Sequence, residues 1–285
     1  EPCRSKNAHC GLSTATRSKV SPGASNARAT MLNKVPAVTL YFWLIKVMGT
    51  TVGETAADYL NDTLGLGLNN TSIVVGVALA GALVFQFRTR RYIPGVYWLV
   101  VVLISIAGTL MTDNLVDGHG VSLNVTTAGF ATLLALTFLA WFSVERSLSI
   151  HTIVTARREA FYWLTILFTF ALGTSAGDLI SEKLDVGYWK SGLLFAGLIA
   201  LVALAHFVLG LGEVLSFWLA YILTRPLGAS LGDYLLQKPT DGGLGLGTGV
   251  TTFGFLAIIL GLVTYLSISK ADLMVADEEP STPTP

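Results

Sequence analysis

The stretch that decides the fold is WLTILFTFALGTSAGD, residues 163–178. This apolar run opens on Trp163, reaches Gly173 ten residues later and Gly177 fourteen later, and ends on Asp178. The same frame recurs three times. Trp43, Trp98 and Trp218 are each followed at ten residues by glycine (Gly53, Gly108, Gly228), at fourteen by a small residue (Ala57, Thr112, Gly232) and at fifteen by aspartate (Asp58, Asp113, Asp233). Successive tryptophans are 55, 65 and 55 residues apart. A fixed period of this length marks a repeat architecture, and a Trp-x9-Gly-x3-small-Asp register held four times is beyond coincidence. The units pair at an offset of 120 residues, dividing the body into 31–150 (repeats 1 and 2) and 151–270 (repeats 3 and 4).

Each unit has room for two membrane crossings, since a helix spans the hydrocarbon with about 20 mostly apolar residues. Charge-free runs of that order lie at 63–87, 92–112, 118–144, 191–212 and 242–269, with a slightly short one at 160–177. Two more spans, 35–60 and 214–236, are interrupted by charge. Composition agrees: 52% of residues are hydrophobic and 13% charged, with a mean hydropathy of +0.64, whereas soluble domains carry about a quarter charged residues. A water-soluble enzyme is excluded, and 18 basic residues balanced by 18 acidic ones point away from nucleic acid. The expected fold is all-α and integral to the membrane. It has eight transmembrane helices from four parallel two-helix repeats, related by an axis along the membrane normal.

Basic residues set the expected orientation. Thirteen Lys and Arg fall on the side of the termini and three, Lys183, Lys190 and Lys238, on the other, so both termini are expected in the cytoplasm. Residues 1–30 are rich in Ser, Ala and Arg and hold both cysteines, Cys3 and Cys10. Their composition predicts a disordered leader, and a first methionine at Met31 suggests a start upstream of the native one. Residues 271–285, acidic and proline-rich, read as a solvated, disordered tail. The body between is free of cysteine, which rules out disulfides and thiolate metal sites there.

Each part of the motif has a physical task. The residues ten and fourteen after tryptophan share a helical face, the small-xxx-small surface that lets helix backbones approach closely in lipid. Gly53, Gly108, Gly173, Gly177, Gly228 and Gly232 are therefore packing residues. Trp43, Trp98, Trp163 and Trp218, about 22 Å back along the helix, read first as interface aromatics, with packing inside the repeat as the rival. Asp58, Asp113, Asp178 and Asp233 are expected either as a ring of carboxylates around a common axis or as caps at the outer helix ends. A carboxylate at a helix C-terminus opposes the macrodipole, which favours the ring.

Glu54 stands one turn before Asp58 on the same face. Ionisable groups within spans are costly and mark ion paths or pair with opposite charge. Lys46 and Arg225 are the available countercharges, each eight residues before an acid (Glu54 and Asp233), which is too far for a bridge within one helix. Full ionisation of all seven groups leaves a net of minus three, favouring a bound divalent cation or protonated carboxylates. Carboxylates with the hydroxyls of Thr50, Thr51, Thr109, Thr112 and Thr174 form a hard oxygen donor set suited to magnesium, calcium or manganese. His206 reads as a packed or hydrogen-bonded residue. The glycine-rich 242–247 lacks the lysine of a phosphate loop and reads as flexible or re-entrant backbone, with a simple turn as the alternative.

The run Tyr41-Phe42-Trp43 and the strings Pro94-Gly95-Val96-Tyr97-Trp98, Arg157-Arg158-Glu159-Ala160-Phe161-Tyr162-Trp163 and 223–233 (LTRPLGASLGD) resemble a bacterial integral membrane family known as a repeat of unknown function. That resemblance covers roughly 31–270 and implies a bacterial cytoplasmic-membrane location and four tandem two-span copies. It supplies no substrate and no catalytic residue.

Two functional classes follow from the residues. The first is a transporter or channel for a small, divalent cation that uses the intramembrane carboxylates, with proton coupling through Glu54 as an option. The second is a non-transporting membrane protein in which the Gly and Asp motifs serve packing and capping. No enzyme is expected, and no resident cofactor. An intramembrane aspartyl protease resembles its kin in a Gly-x-Gly-Asp string, whose first glycine is Ser175 or Ser230 here. The expected partners are the lipid bilayer and the cation.

Overall fold

The computed structural model describes residues 33–273. The expected leader, with Cys3 and Cys10, lies outside the described residues, as do residues 274–285. Among the described residues the chain forms eight helices of 19–24 residues and no strand. They are α1 (Leu40–Asp58), α2 (Gly67–Arg88), α3 (Pro94–Asp113), α4 (Leu123–Glu145), α5 (Ala156–Asp178), α6 (Tyr188–Leu209), α7 (Glu213–Leu236) and α8 (Thr248–Ser269). Seven of them, α2 to α8, are long and apolar enough to cross a membrane. α1 carries Lys46, Glu54 and Asp58 within its 19 residues.

The helices sort into two layers by burial. α1, α3, α5 and α7, which carry the tryptophan motif, bury most of one long face. The second helix of each repeat leaves large apolar side chains such as Val77, Leu139, Phe207 and Leu260 exposed. In water such a surface would drive aggregation; against lipid it is the expected exterior. The four motif helices form a closed ring in chain order, α1 on α3, α3 on α5, α5 on α7, and α7 back on α1. Each outer helix packs mainly on the motif helix of the next repeat: α2 on α3, α4 on α5, α6 on α7, and α8 back on α1. The last repeat thus completes the first.

Glycine makes the ring possible. A methyl group placed on Gly53 would overlap Ser105, on Gly108 the Phe170 backbone and Cβ, on Gly173 the Arg225 side chain, and on Gly228 the Thr50 side chain. These contacts are one contact repeated four times. The glycine ten residues after each tryptophan meets the residue seven after the tryptophan of the next repeat, with the fourth meeting the first. The close approach expected of the small residues is present, and Gly177 and Gly232 continue it against Pro226 and Glu54.

The tryptophans pack inside the ring. Trp98, Trp163 and Trp218 are buried and Trp43 is half-buried. Each packs on the aromatic residue that precedes the tryptophan of the repeat before it: Phe42 on Trp98 at 5.6 Å, Tyr97 on Trp163 at 5.5 Å, Tyr162 on Trp218 at 6.3 Å, and Phe217 on Trp43 at 5.8 Å. An aromatic belt fastens the ring at one end, because paired aromatics add to their burial when offset or edge-on.

At the opposite end the motif helices do not stop at aspartate. In three repeats they continue into a wider π-helical turn, Tyr59–Thr63, Asn114–Gly118 and Leu179–Lys183. Asp58, Asp113 and Asp178 are the last residues of their α-helices, at the junction with the π turn, and their side chains make no capping hydrogen bond there. α7 instead ends at Leu236, and the carbonyls of Tyr234, Leu235 and Gln237 accept from the amides of Leu244 at 2.7 Å, Leu246 at 2.9 Å and Gly245 at 2.8 Å. Gly242, Gly245 and Gly247 adopt left-handed backbone to permit this. The glycine-rich segment is a turn that closes α7; the re-entrant reading is corrected.

The two ends of the described chain meet at the aromatic end. Asn33 to Pro36 are buried. Lys34 Nζ pairs with Glu159 at 2.6 Å, and Gln86 donates to the other Glu159 oxygen at 3.1 Å. Asp272, two residues into the stretch expected as solvated tail, is buried. Its carboxylate accepts from the Tyr92 hydroxyl at 2.5 Å and its carbonyl from the Ala37 amide at 2.9 Å. Burial pushes both side chains above their ordinary pKa values, although the Tyr92 hydrogen bond pulls Asp272 partly back.

Candidate ion site on the ring axis

The residue eleven after each tryptophan is Glu54, Thr109, Thr174 or Ala229, and the ring brings these positions to one place. Arg225 of α7 fills the space beside Ala229. Its Nη2 donates to Glu54 Oε2 at 3.1 Å, to Thr174 Oγ1 at 2.6 Å and to Thr109 Oγ1, while Nη1 donates to the Thr50 carbonyl at 3.1 Å. One guanidinium from the fourth repeat is therefore bonded to all three others. The side chain is fully buried, and Thr109 also donates to Glu54 at 3.3 Å. The countercharge expected of Arg225 is found, between helices rather than within one. Glu54 is consequently a paired carboxylate.

Lys46, the other expected countercharge, has no carboxylate. It is fully buried, its Nζ lies 4.1 Å from the centre of the Phe170 ring and 4.2 Å from that of Tyr221, and it makes no hydrogen bond. With Arg225, Lys46 and the Tyr97–Tyr162 hydroxyl pair at 2.6 Å, the centre of the ring is filled with side chains.

The four aspartates gather at the far end from the aromatic belt. Asp58, Asp113 and Asp178 are half-buried and Asp233 is buried, and none of the four side chains has a hydrogen bond or ion pair among the described residues. All four lie within electrostatic reach of Glu54, Asp113 also of Asp58, Asp178 of Asp113, and Asp233 of both Asp58 and Asp178. The four carboxylates therefore share one negative field. Among the described residues, however, no three acidic, histidine or cysteine side chains come close enough to hold one metal ion.

A second tier of acids escaped the sequence reading. Nineteen residues after the tryptophans stand Asp62, Asp117 and Glu182, with Gln237 in the fourth repeat. They lie in the three π turns and are exposed. Asp58 and Asp113 lie within the field of Asp117, and Asp178 and Asp233 within that of Glu182. The signal was four residues beyond the motif as read, blurred by Glu in one copy and Gln in another. The ring helices and their π turns thus carry eight acids at this end, with Arg225 their one buried bonded cation among the described residues.

The remaining candidates are quieter. His206 Nδ1 bonds the Leu211 carbonyl at 2.8 Å and lies 3.3 Å from Ser216 Oγ, the local hydrogen-bonded role expected for it. It lines a lateral groove of about 630 Å³ between α1, α6 and α7, together with Trp43, Val47, Phe217 and Thr224.

Comparison with known proteins gives a family. A family model described as Repeat of Unknown Function (DUF347) matches four times, over residues 41–92, 96–147, 161–210 and 216–272. These four segments coincide with the four tryptophan-led helix pairs. No curated protein and no solved structure matches the chain.

Proposed function

The chain belongs to the DUF347 family of tandem membrane-type repeats, and on that footing we propose that it is a transporter for a small divalent cation. In this reading all eight helices, α1 included, span the bacterial cytoplasmic membrane, with both termini and the aromatic belt on the cytoplasmic side and the acidic end outside. The observation that carries the proposal is the set of four repeated aspartates without partners. Carboxylates within a membrane protein are costly, and a repeat that keeps one in every copy, half-buried in three and without a side-chain partner in any, suits a group that meets something arriving from solution. A shared field without a chelating triad suits a cation that is attracted, partly dehydrated and released, rather than one stored. The filled axis favours a carrier that rearranges over an open channel.

The test is a panel of metal-tolerance measurements on cells lacking and overproducing the protein. The proposal expects tolerance to one divalent cation to change in opposite directions in the two strains, and to return to the empty-vector value when Asp113 and Asp178 are replaced by Asn. Unchanged tolerance to every cation favours the second reading, a structural membrane protein, for which the four glycine crossings are the supporting observation.

A further inference from the structure

Lys46 is placed where the packing of the repeat does not ask for a cation. The corresponding residues of the other repeats, three after each tryptophan, are Val101, Ile166 and Tyr221. Its surroundings hold the ammonium ambivalently. Two ring faces attract it, while complete burial and the neighbouring Arg225 oppose it. The ionisable groups about it are few. Its own helix carries Glu54 two turns further on, and α7 carries Arg225 and Tyr221. α5 and α3 bring Tyr162 and Tyr97, bonded to each other, and α8 brings Tyr265, which faces Tyr41. Arg225 holds Glu54, and Arg225 and Lys46 lie over the same Phe170 ring, at 5.6 and 4.1 Å from its centre, so Lys46 feels Glu54 only through the charge of Arg225.

This arrangement couples two ions. A cation that draws Glu54 toward the acidic end leaves the Arg225 charge uncompensated beside Lys46. Arginine does not give up its proton, but lysine does so readily when buried. We infer that Lys46 is the proton site of an exchange reaction, losing its proton when a cation takes Glu54 and regaining it when the cation leaves. The N–H bond breaks with its electron pair kept by nitrogen. One proton therefore leaves for each ion bound, and a divalent ion adds a net single positive charge. Lys46 is fully buried with no hydrogen-bond partner, so the proton passes to water only when the helices around it rearrange; the lateral groove, whose wall carries the chain neighbours Val47 and Thr224, is the nearest opening described. This inference rests on the cation reading and assigns its coupling ion.

The full-length protein in detergent, in weak buffer with a pH indicator, is titrated with manganese(II) chloride while free manganese is followed separately. Wild type is expected to release about one proton per ion bound. Lys46→Met is expected to bind manganese at least as well and to release several-fold fewer protons. Lys46→Arg, which keeps the charge, is expected to fold, bind about tenfold more weakly and release few. Equal release by Lys46→Met, or by Lys46→Arg should Lys46→Met fail to fold, assigns the proton to the aspartates and overturns the inference. Manganese bound by wild type with no proton released overturns the coupling and leaves the cation reading intact. No binding of manganese, magnesium or calcium by wild type removes both.

Discussion

Arg225 Nη2 stands 3.1 Å from Glu54 Oε2, so the fourth repeat grips the first across the seam at which the ring closes. A buried ion pair contributes little net stability against an apolar replacement, but breaking one side of it costs about 3–5 kcal/mol because a charge is left unpaired. Arg225 also satisfies Thr109, Thr174 and the Thr50 carbonyl. Arg225→Met should therefore lower the thermal unfolding midpoint markedly, Glu54→Gln less, and Arg225→Met with Glu54→Met less than Arg225→Met alone. Equal effects for the double and single arginine variants would mean that the pair is not coupled.

The glycine crossings predict a four-site pattern. Gly53→Ala and Gly228→Ala place a methyl into Ser105 and Thr50, and overpacking of this kind costs about 1–3 kcal/mol. Gly76→Ala and Gly254→Ala meet open space and should be neutral or slightly stabilising, since alanine is the better helix former by about 1 kcal/mol. Melting curves of the four variants in one detergent compare them directly; similar losses in all four would remove the close-approach account.

The aspartates should behave in the opposite way. The side chains of Asp113 and Asp178 make no hydrogen bond or ion pair, so Asn at either site removes a costly charge without leaving a partner behind. Thermal stability is expected to hold or to rise by about 1 kcal/mol. A loss larger than that would reveal a structural role in capping or pairing.

The clasp between the two ends of the described residues has a pH signature. Burial holds the Asp272 carboxyl above the ordinary aspartate value of about 3.9, so folding favours its protonated form. That contribution is complete below the ordinary value and disappears as pH rises through the raised one. The stability of wild type relative to Asp272→Asn should therefore decline from about pH 4 upward, read as the difference between their melting midpoints. A difference that grows with pH would contradict the sign.

Repetition explains how much could be read from the chain. The glycine and aspartate positions are legible because four copies filter out the noise of a single helix, and the small-residue spacing already implies close backbones. The tryptophans left two readings open because one helix in isolation cannot reveal that its aromatic end faces the next repeat. The bond from Arg225 to Glu54 spans 171 residues and exists only once the ring closes, a step that no local period encodes. The acids at Asp62, Asp117 and Glu182 were in plain register, but the π turns that carry them leave no mark in hydropathy.

Uptake of manganese into liposomes by the purified protein, wild type beside an Asp113→Asn, Asp178→Asn double variant of equal folded yield, bears most directly on whether the acidic end handles cations. The expected result is time-dependent uptake by wild type and at least a tenfold slower rate in the variant. Equal rates in both would contradict it, as would no uptake of manganese, magnesium or calcium by a wild-type protein shown to be folded.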